Sequence, residues 1–297
     1  FNAINFLCAF PFIISNKKRR CTLMTEINEI KIIYFKKYLR ENGCSENTIR
    51  SYSSTAYSFL SKYDTVTSDN LINYRNYLLN SGKSSTVNQR INAINQYIRY
   101  ENNGIANAHL IKVRRSIYID NVISNEEYQL FKEQLLKEKK YKLYFLIRFM
   151  ASTGMRISEV LQLTTDDIRI GHCNIRSKGN KERRVYIPSA LSYEAMMWMT
   201  EYHVNSGYVF INRFGERMSS SGARYLIKHY GMKYGIPESH LHPHAFRHRF
   251  ALNFISVHKD ISMLSDLLGH ESIETTRIYL KKTADEQKDL INLIVNW

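Results

Sequence analysis

Residues that interrupt helices are scarce in this chain: 4 prolines and 12 glycines are spread over 297 residues. Proline removes a backbone donor and clashes with the preceding turn, and a glycine costs a helix about 1 kcal/mol relative to alanine. A chain poor in both, and rich in Leu, Ile, Tyr and Lys, is directed towards helix over most of its length. Its hydrophobic content of 44% supplies material for about two modest cores at this length. The expected class is therefore mainly α, in two domains, with no internal repeat.

Apolar residues recur at three and four along four stretches that follow Met24. The first spans about 25–41, with Ile30, Ile33, Tyr34, Tyr38 and Leu39, and stops at Gly43. Ser45 can cap the second, in which Ile49, Tyr52, Ala56 and Leu60 repeat. Thr67 or Ser68 opens the third, through Leu71, Tyr74 and Leu78, and Ser84 or Ser85 opens the fourth. A four-helix bundle over residues 24–105 follows, then a linker over 106–122; the periodicity breaks from Asn103 and Gly104 onward and through the basic run KVRR.

A second domain is expected over 123–297, opened by Ser124 with Glu127 three residues on, the two halves of a capping box. Its helices are expected near 125–138, 141–153, 156–163, 190–203, 220–233, 244–257, 260–268, 272–281 and 285–296. Two short strands, about 172–176 and 183–187, flank SKGN, whose Gly179-Asn180 suits a hairpin turn. The domain is thus helical with one small antiparallel sheet.

The net charge of +15 favours an anionic partner, nucleic acid or a membrane surface. Against the membrane, the apolar run that opens the chain stops at Ser15 and contains Pro11, short of the roughly 20 residues a span needs. Its positive charges follow the run, whereas a secretory signal carries them in front. Residues 1–23 are expected to be a disordered or non-native extension ahead of Met24. The cysteines at 8, 21, 44 and 173 have no ligand-like spacing and point to a reducing compartment.

The densest chemistry lies in HPHAFRHRF, residues 242–250. Pro243 suits the first turn of a helix. His244 and Arg247, three apart, then share a face at a helix N-terminus, where unpaired backbone N–H groups favour an anion. Phe246, Phe250 and Phe254 form a neighbouring apolar stripe. A metal at His244 and His248, with His242, is disfavoured: no carboxylate or cysteine completes the set, and the arginines repel a cation. Elsewhere, Arg156 follows Gly154 with Glu159 at i+3, Lys178 sits at the hairpin tip, His270 follows Gly269, and Tyr279 lies nine residues further on.

In order and in neighbourhood these residues resemble the tyrosine recombinases, the phage-integrase family, with spacing most similar to its Xer-type members. The resemblance rests on Arg156 in TGMRISEVLQL, Lys178 in SKGNKERRVYIP, His244 and Arg247 in HPHAFRH, His270 in LLGH and Tyr279 in TTRIYLK. HAFRH departs from many relatives, which place an acidic residue and Leu between the His and the Arg. The resemblance implies a DNA breaking-rejoining catalytic fold behind a SAM-like core-binding domain. It implies Tyr279 as the nucleophile that forms a 3′-phosphotyrosine, Arg156 and Arg247 as a phosphate clamp and Lys178 as general acid. It assigns His244 to proton transfer, His270 to a non-bridging oxygen and Glu159 to support. No metal, ATP or other cofactor is implied.

The implied partner is double-stranded DNA with inverted-repeat core sites, held between the two domains by a cytoplasmic protein that is a monomer in solution. The apolar tail with Leu290, Ile291, Leu293, Ile294 and Trp297 would pack on its own domain or dock into a neighbour, giving a homo- or hetero-tetramer on DNA. With so short a stretch before the first helix, no arm-type DNA-binding domain is expected, which points away from the large, lambda-like integrases. The alternatives are a type IB topoisomerase-like nicking-closing enzyme, told apart by relaxation of a plasmid without target sites, and a catalytically silent DNA-binding regulator.

Overall fold

A computed structural model describes residues 16–81, 84–102, 104–111, 121–176, 182–270 and 272–280. The chain divides into two compact units, Phe1–Arg115 and Ser116–Trp297. The first contains α1 (Asn16–Glu41), α2 (Glu46–Tyr63), α3 (Ser68–Ser81) and α4 (Ser84–Glu101). Helix α1 begins at Asn16, ahead of the expected start near 25, so part of the supposed N-terminal extension is helical. The run NKKRR contains good helix formers and no Gly or Pro, so nothing in it stops the helix from extending backwards.

The inward face of α1 also differs from the expected one. Ile32, Phe35 and Leu39 are buried with Asn28, whereas Ile30, Ile33 and Tyr34 are exposed. Two apolar stripes with helical spacing run along α1, and periodicity alone cannot choose between them. Later in the bundle the expected residues are the core: Ile49, Ala56 and Leu60 on α2, and Leu71, Tyr74 and Leu78 on α3. The Ser45 side chain caps α2 by accepting from the Thr48 amide, and the Thr67 hydroxyl accepts from the Asn70 amide at the start of α3.

The extended segment 104–111, which the sequence pattern places around the start of the linker, lies along α4. Asn95 bonds both backbone groups of Ala108, at 3.0 and 2.8 Å, and Asn88 does the same for Ile111, at 2.8 Å each. Seven residues of helix rise about 10.5 Å. Three residues of extended chain cover about 10 Å. The two asparagines therefore match the spacing of the amides they hold.

The second unit runs α5 (Asn125–Lys137), α6 (Tyr141–Thr153), α7 (Ile157–Val160), α8 (Thr165–Ile170), β1 (His172–Arg176), β2 (Glu182–Tyr186), α9 (Ser189–Glu201), α10 (Ser220–Lys233), α11 (Pro243–Val257) and α12 (Ile261–Leu268). Short 3-10 turns cover Glu238–His240, Ile273–Thr275 and Arg277–Leu280. The Ser124–Glu127 capping box is formed at the start of α5. Strands β1 and β2 pair antiparallel, from His172 opposite Tyr186 to Arg176 opposite Glu182. The expected hairpin turn Gly179-Asn180, with Lys178, and the expected helix 285–296 fall outside the described residues.

Helix α6 is apolar around most of its circumference, and Leu143 through Ile147, with Phe149 and Met150, are all buried. It is the central helix, packed by α5, α9 and α11, and its core includes Phe131, Trp198, Phe210 and Phe246. A smaller cluster joins Ala251 of α11, Leu264 and Leu268 of α12, and Tyr279. No helix among the described residues is long and apolar enough to cross a membrane.

Two expectations fail locally. The helix expected over 156–163 is a single turn, α7, because Thr164 starts a new helix: its hydroxyl accepts from the Asp167 amide while Asp167 accepts from the Thr164 amide. The helix expected over 272–281 is two 3-10 turns broken at Thr276, which is fully buried.

Candidate active site

The sequence places Gly154 where α6 must stop. It adopts a left-handed conformation (φ 66°) and its amide bonds Met150. That turn delivers Arg156 in extended conformation to the start of α7. Glu159, one turn on, accepts from the Arg156 amide at 2.7 Å and from its guanidinium at 2.9 Å. The same carboxylate accepts from Arg183 of β2 at 2.8 Å. Strand alternation puts Arg183 on the inward face with Val185, where burial requires an acidic partner.

Arg247 arrives from α11 and is 3% exposed. One terminal nitrogen donates to the Gly154 carbonyl and the other to the Leu268 carbonyl, both at 2.6 Å. Arg156 donates to the next carbonyl, Gly269, at 3.3 Å. Two guanidiniums from distant parts of the sequence therefore meet at the C-terminus of α12, the end of a helix that favours cations. Each terminal nitrogen carries two hydrogens, so both arginines keep N–H groups beyond the bonds they make here.

His270 follows directly, after the left-handed Gly269. Its Nδ1 lies 2.8 Å from the hydroxyl of Thr276. Tyr279 sits in the last 3-10 turn, 6% exposed, with its hydroxyl 2.6 Å from Nδ1 of His248. His244 is exposed in the first turn of α11, its ring 6.2 Å from that of His248. His242 is a helix cap, its Nδ1 accepting from the Ala245 amide at 3.1 Å. The structure thus gathers Arg156, Glu159, His244, Arg247, His270 and Tyr279 in one unit. Lys178 lies outside the described residues.

The electrostatics are those of an anion site. Arg156 and Arg183 both bond the Glu159 carboxylate, and Arg247 stands close enough to feel its charge. Burial alone would raise Glu159, but Arg183 and Arg156 outweigh it and hold the acid below its ordinary value. Burial, then Arg156, pushes Arg247 down to about 10, so it remains cationic at neutral pH. Burial, then Arg247, Arg156 and Arg183, pushes His270 down to about 4. Although His244 is open to solvent on one side, the part of its ring that the protein covers, then Arg247 and His242, lowers it as well. Burial contributes most to these shifts, and the arginine charge that adds to them at His270 and His244 is one that attracts an anion. A cavity of about 860 Å³ opens onto Arg156, Glu159, Asn174, Arg176, Gly269 and His270.

Sequence reasoning missed Arg183 and His248 as parts of this site. The inward register of Arg183 in ERRVY was the available signal. His248 was weighed only as a metal ligand, because a helical i+4 pair with His244 says nothing about a 3-10 turn from further along the chain.

Gly154 supplies a direct check on how tightly the site is built. A Cβ there would lie 2.5 Å from Cδ1 of Phe250 and 2.9 Å from Cδ2 of Leu268, in a left-handed backbone. Gly154→Ala is expected to cost about 2–4 kcal/mol, from backbone strain and overpacking together. Urea unfolding followed by tryptophan fluorescence measures it, since Trp198 lies in this unit's core. An unchanged midpoint would mean that the turn before Arg156 adapts freely.

The phage integrase family pattern matches residues 121–286. Tyrosine recombinase XerA of Pyrococcus furiosus is 29% identical over 288 residues, which cover 94% of this chain and 98% of that protein. A crystal structure of the XerH site-specific recombinase bound to palindromic difH substrate, in a post-cleavage complex, aligns with a TM-score of 0.65 at 21% identity, covering 84% of this chain and 79% of that one. A lambda integrase tetramer bound to a Holliday junction aligns with a TM-score of 0.66 at 16% identity, covering 88% and 82% of the two chains. At such identities these two structures speak for the fold, a mainly helical one.

Proposed function

This chain belongs to the phage integrase family, and from that we propose that it is a site-specific DNA recombinase that cuts and rejoins duplex DNA through a phosphotyrosine at Tyr279. The observation that carries the reading is the meeting of Arg156 and Arg247 on consecutive carbonyls, Leu268 and Gly269, with His270 next in sequence. A phosphodiester under attack gains negative charge on its non-bridging oxygens. Two guanidiniums with N–H groups to spare supply fixed donors for that charge, and His270 adds a third. His244 stands at the edge of the group for proton transfer, and Glu159 holds Arg156 in place.

In the proposed step, the Tyr279 hydroxyl gives up its proton by way of the His244 imidazole as its oxygen attacks phosphorus, and the bond to the 5′ oxygen breaks. The departing oxygen takes a proton from Lys178. The 3′ phosphate stays on the tyrosine, so the bond energy is conserved and a 5′-hydroxyl from a partner strand can reverse the step. The reaction needs no cofactor. XerH is described with a palindromic substrate and lambda integrase as a tetramer on a junction. By analogy this chain acts on inverted-repeat sites as a tetramer, through its apolar C-terminal segment, and works in the cytoplasm where the DNA is.

The polarity of the cut tests the reading. On nicked suicide duplexes the protein is expected to leave a free 5′-hydroxyl, open to labelling by a polynucleotide kinase, and a 3′ end blocked by peptide after proteolysis. A blocked 5′ end with a free 3′-hydroxyl would contradict it.

A further inference from the structure

His248 has no part in the roles assigned so far, yet it is the residue that touches the Tyr279 hydroxyl. We propose that His248 is a positioning residue for the nucleophile, its Nδ1 accepting the phenol's proton in a hydrogen bond that fixes where the reacting oxygen sits. The proposal rests on the recombinase reading, in which Tyr279 attacks phosphorus.

Three observations support it. The bond is short, 2.6 Å, and the two rings are 5.7 Å apart, so the phenol is held at its reacting end as well as along its ring. His248 is the residue after Arg247 on α11, and Arg247 is bonded to both Gly154 and Leu268. The tyrosine is thereby registered to the same rigid helix as the phosphate clamp. Finally, the 3-10 turn that carries Tyr279 is short, and a 3-10 turn is held by weaker backbone bonds than an α-helix. A side-chain anchor is what sets the phenol oxygen there.

Positioning fits better than deprotonation. Burial, with Arg247 acting in the opposite direction, raises the phenol to about 12. Burial, then His244, His242 and Arg247, lowers His248 to about 4. Full transfer of the proton to this imidazole runs against both shifts, whereas a hydrogen bond to its lone pair separates no charge. The neutral ring carries its own hydrogen on Nε2 in this arrangement.

Two measurements test the proposal. Nitrogen NMR of the histidine rings in the DNA-free chain should show His248 as the Nε2–H tautomer with Nδ1 accepting, and Tyr279→Phe should move that Nδ1 signal. A signal that Tyr279→Phe leaves in place overturns the proposal. In single-turnover trapping on nicked suicide duplexes from the DNA flanking the coding frame, His248→Leu should slow adduct formation about 100-fold, as misplacement of a reacting group does. His248→Asn, whose Oδ1 can accept where Nδ1 did, should retain most of the wild-type rate. Equal loss in both variants, or loss in neither, overturns the proposal. If the wild-type chain traps no duplex, the recombinase reading fails, and the nitrogen spectrum still decides the contact.

Discussion

Tyr279→Phe is expected to abolish the covalent protein–DNA adduct while leaving DNA binding and folding almost untouched. The substitution removes a single oxygen. The ring stays in the cluster of Ala251, Leu264 and Leu268, where Tyr279 is 6% exposed. The loss to stability is that of one hydrogen bond, to His248, about 1 kcal/mol. The loss to chemistry is total, because no other atom of that side chain can attack phosphorus. DNA affinity depends on the basic surface of a chain with net charge +15, and that is unchanged. Denaturing gels of suicide-substrate reactions, with mobility shifts as the binding control, measure both. An undiminished adduct would reassign the nucleophile.

Arg247→Lys is the second large effect. Arg247 is the most constrained cation of the site, bonded to carbonyls from two elements and 3% exposed. A lysine ammonium cannot reach both carbonyls and still present a paired donor to a phosphate. Losing one fixed donor of this kind slows a reaction about 10²–10³-fold. The expected result is a fall of that size in the single-turnover rate of adduct formation. The positive charge is kept, so what stability loses is the bridge between the Gly154 and Leu268 carbonyls. A rate within threefold of wild type, roughly 0.6 kcal/mol of barrier, would remove Arg247 from the clamp.

The site was legible in the sequence to the extent that its residues were tied to local signals. Gly154 before Arg156 and Gly269 before His270 announced helix ends, and both are left-handed caps. Pro243 announced the start of α11. Ser45 and Ser124 announced helix starts that are formed as expected. What stayed hidden depended on partners far along the chain. The inward face of α1 is chosen by what packs on it, so Ile32 and Phe35 won over Ile30 and Ile33. The break at Thr276 is set by its burial and its contact with His270. His248 becomes part of the site only because a turn from residues 277–280 brings Tyr279 onto α11.

The central claim is that Tyr279 and a clamp of cations act on one phosphorus atom. Its most direct measurement is mass spectrometry of the trapped adduct after trypsin and nuclease digestion. The expected nucleotide-bearing peptide is Ile278-Tyr279-Leu280-Lys281, with the phosphodiester on the phenol oxygen. A nucleotide on any other residue would contradict the account.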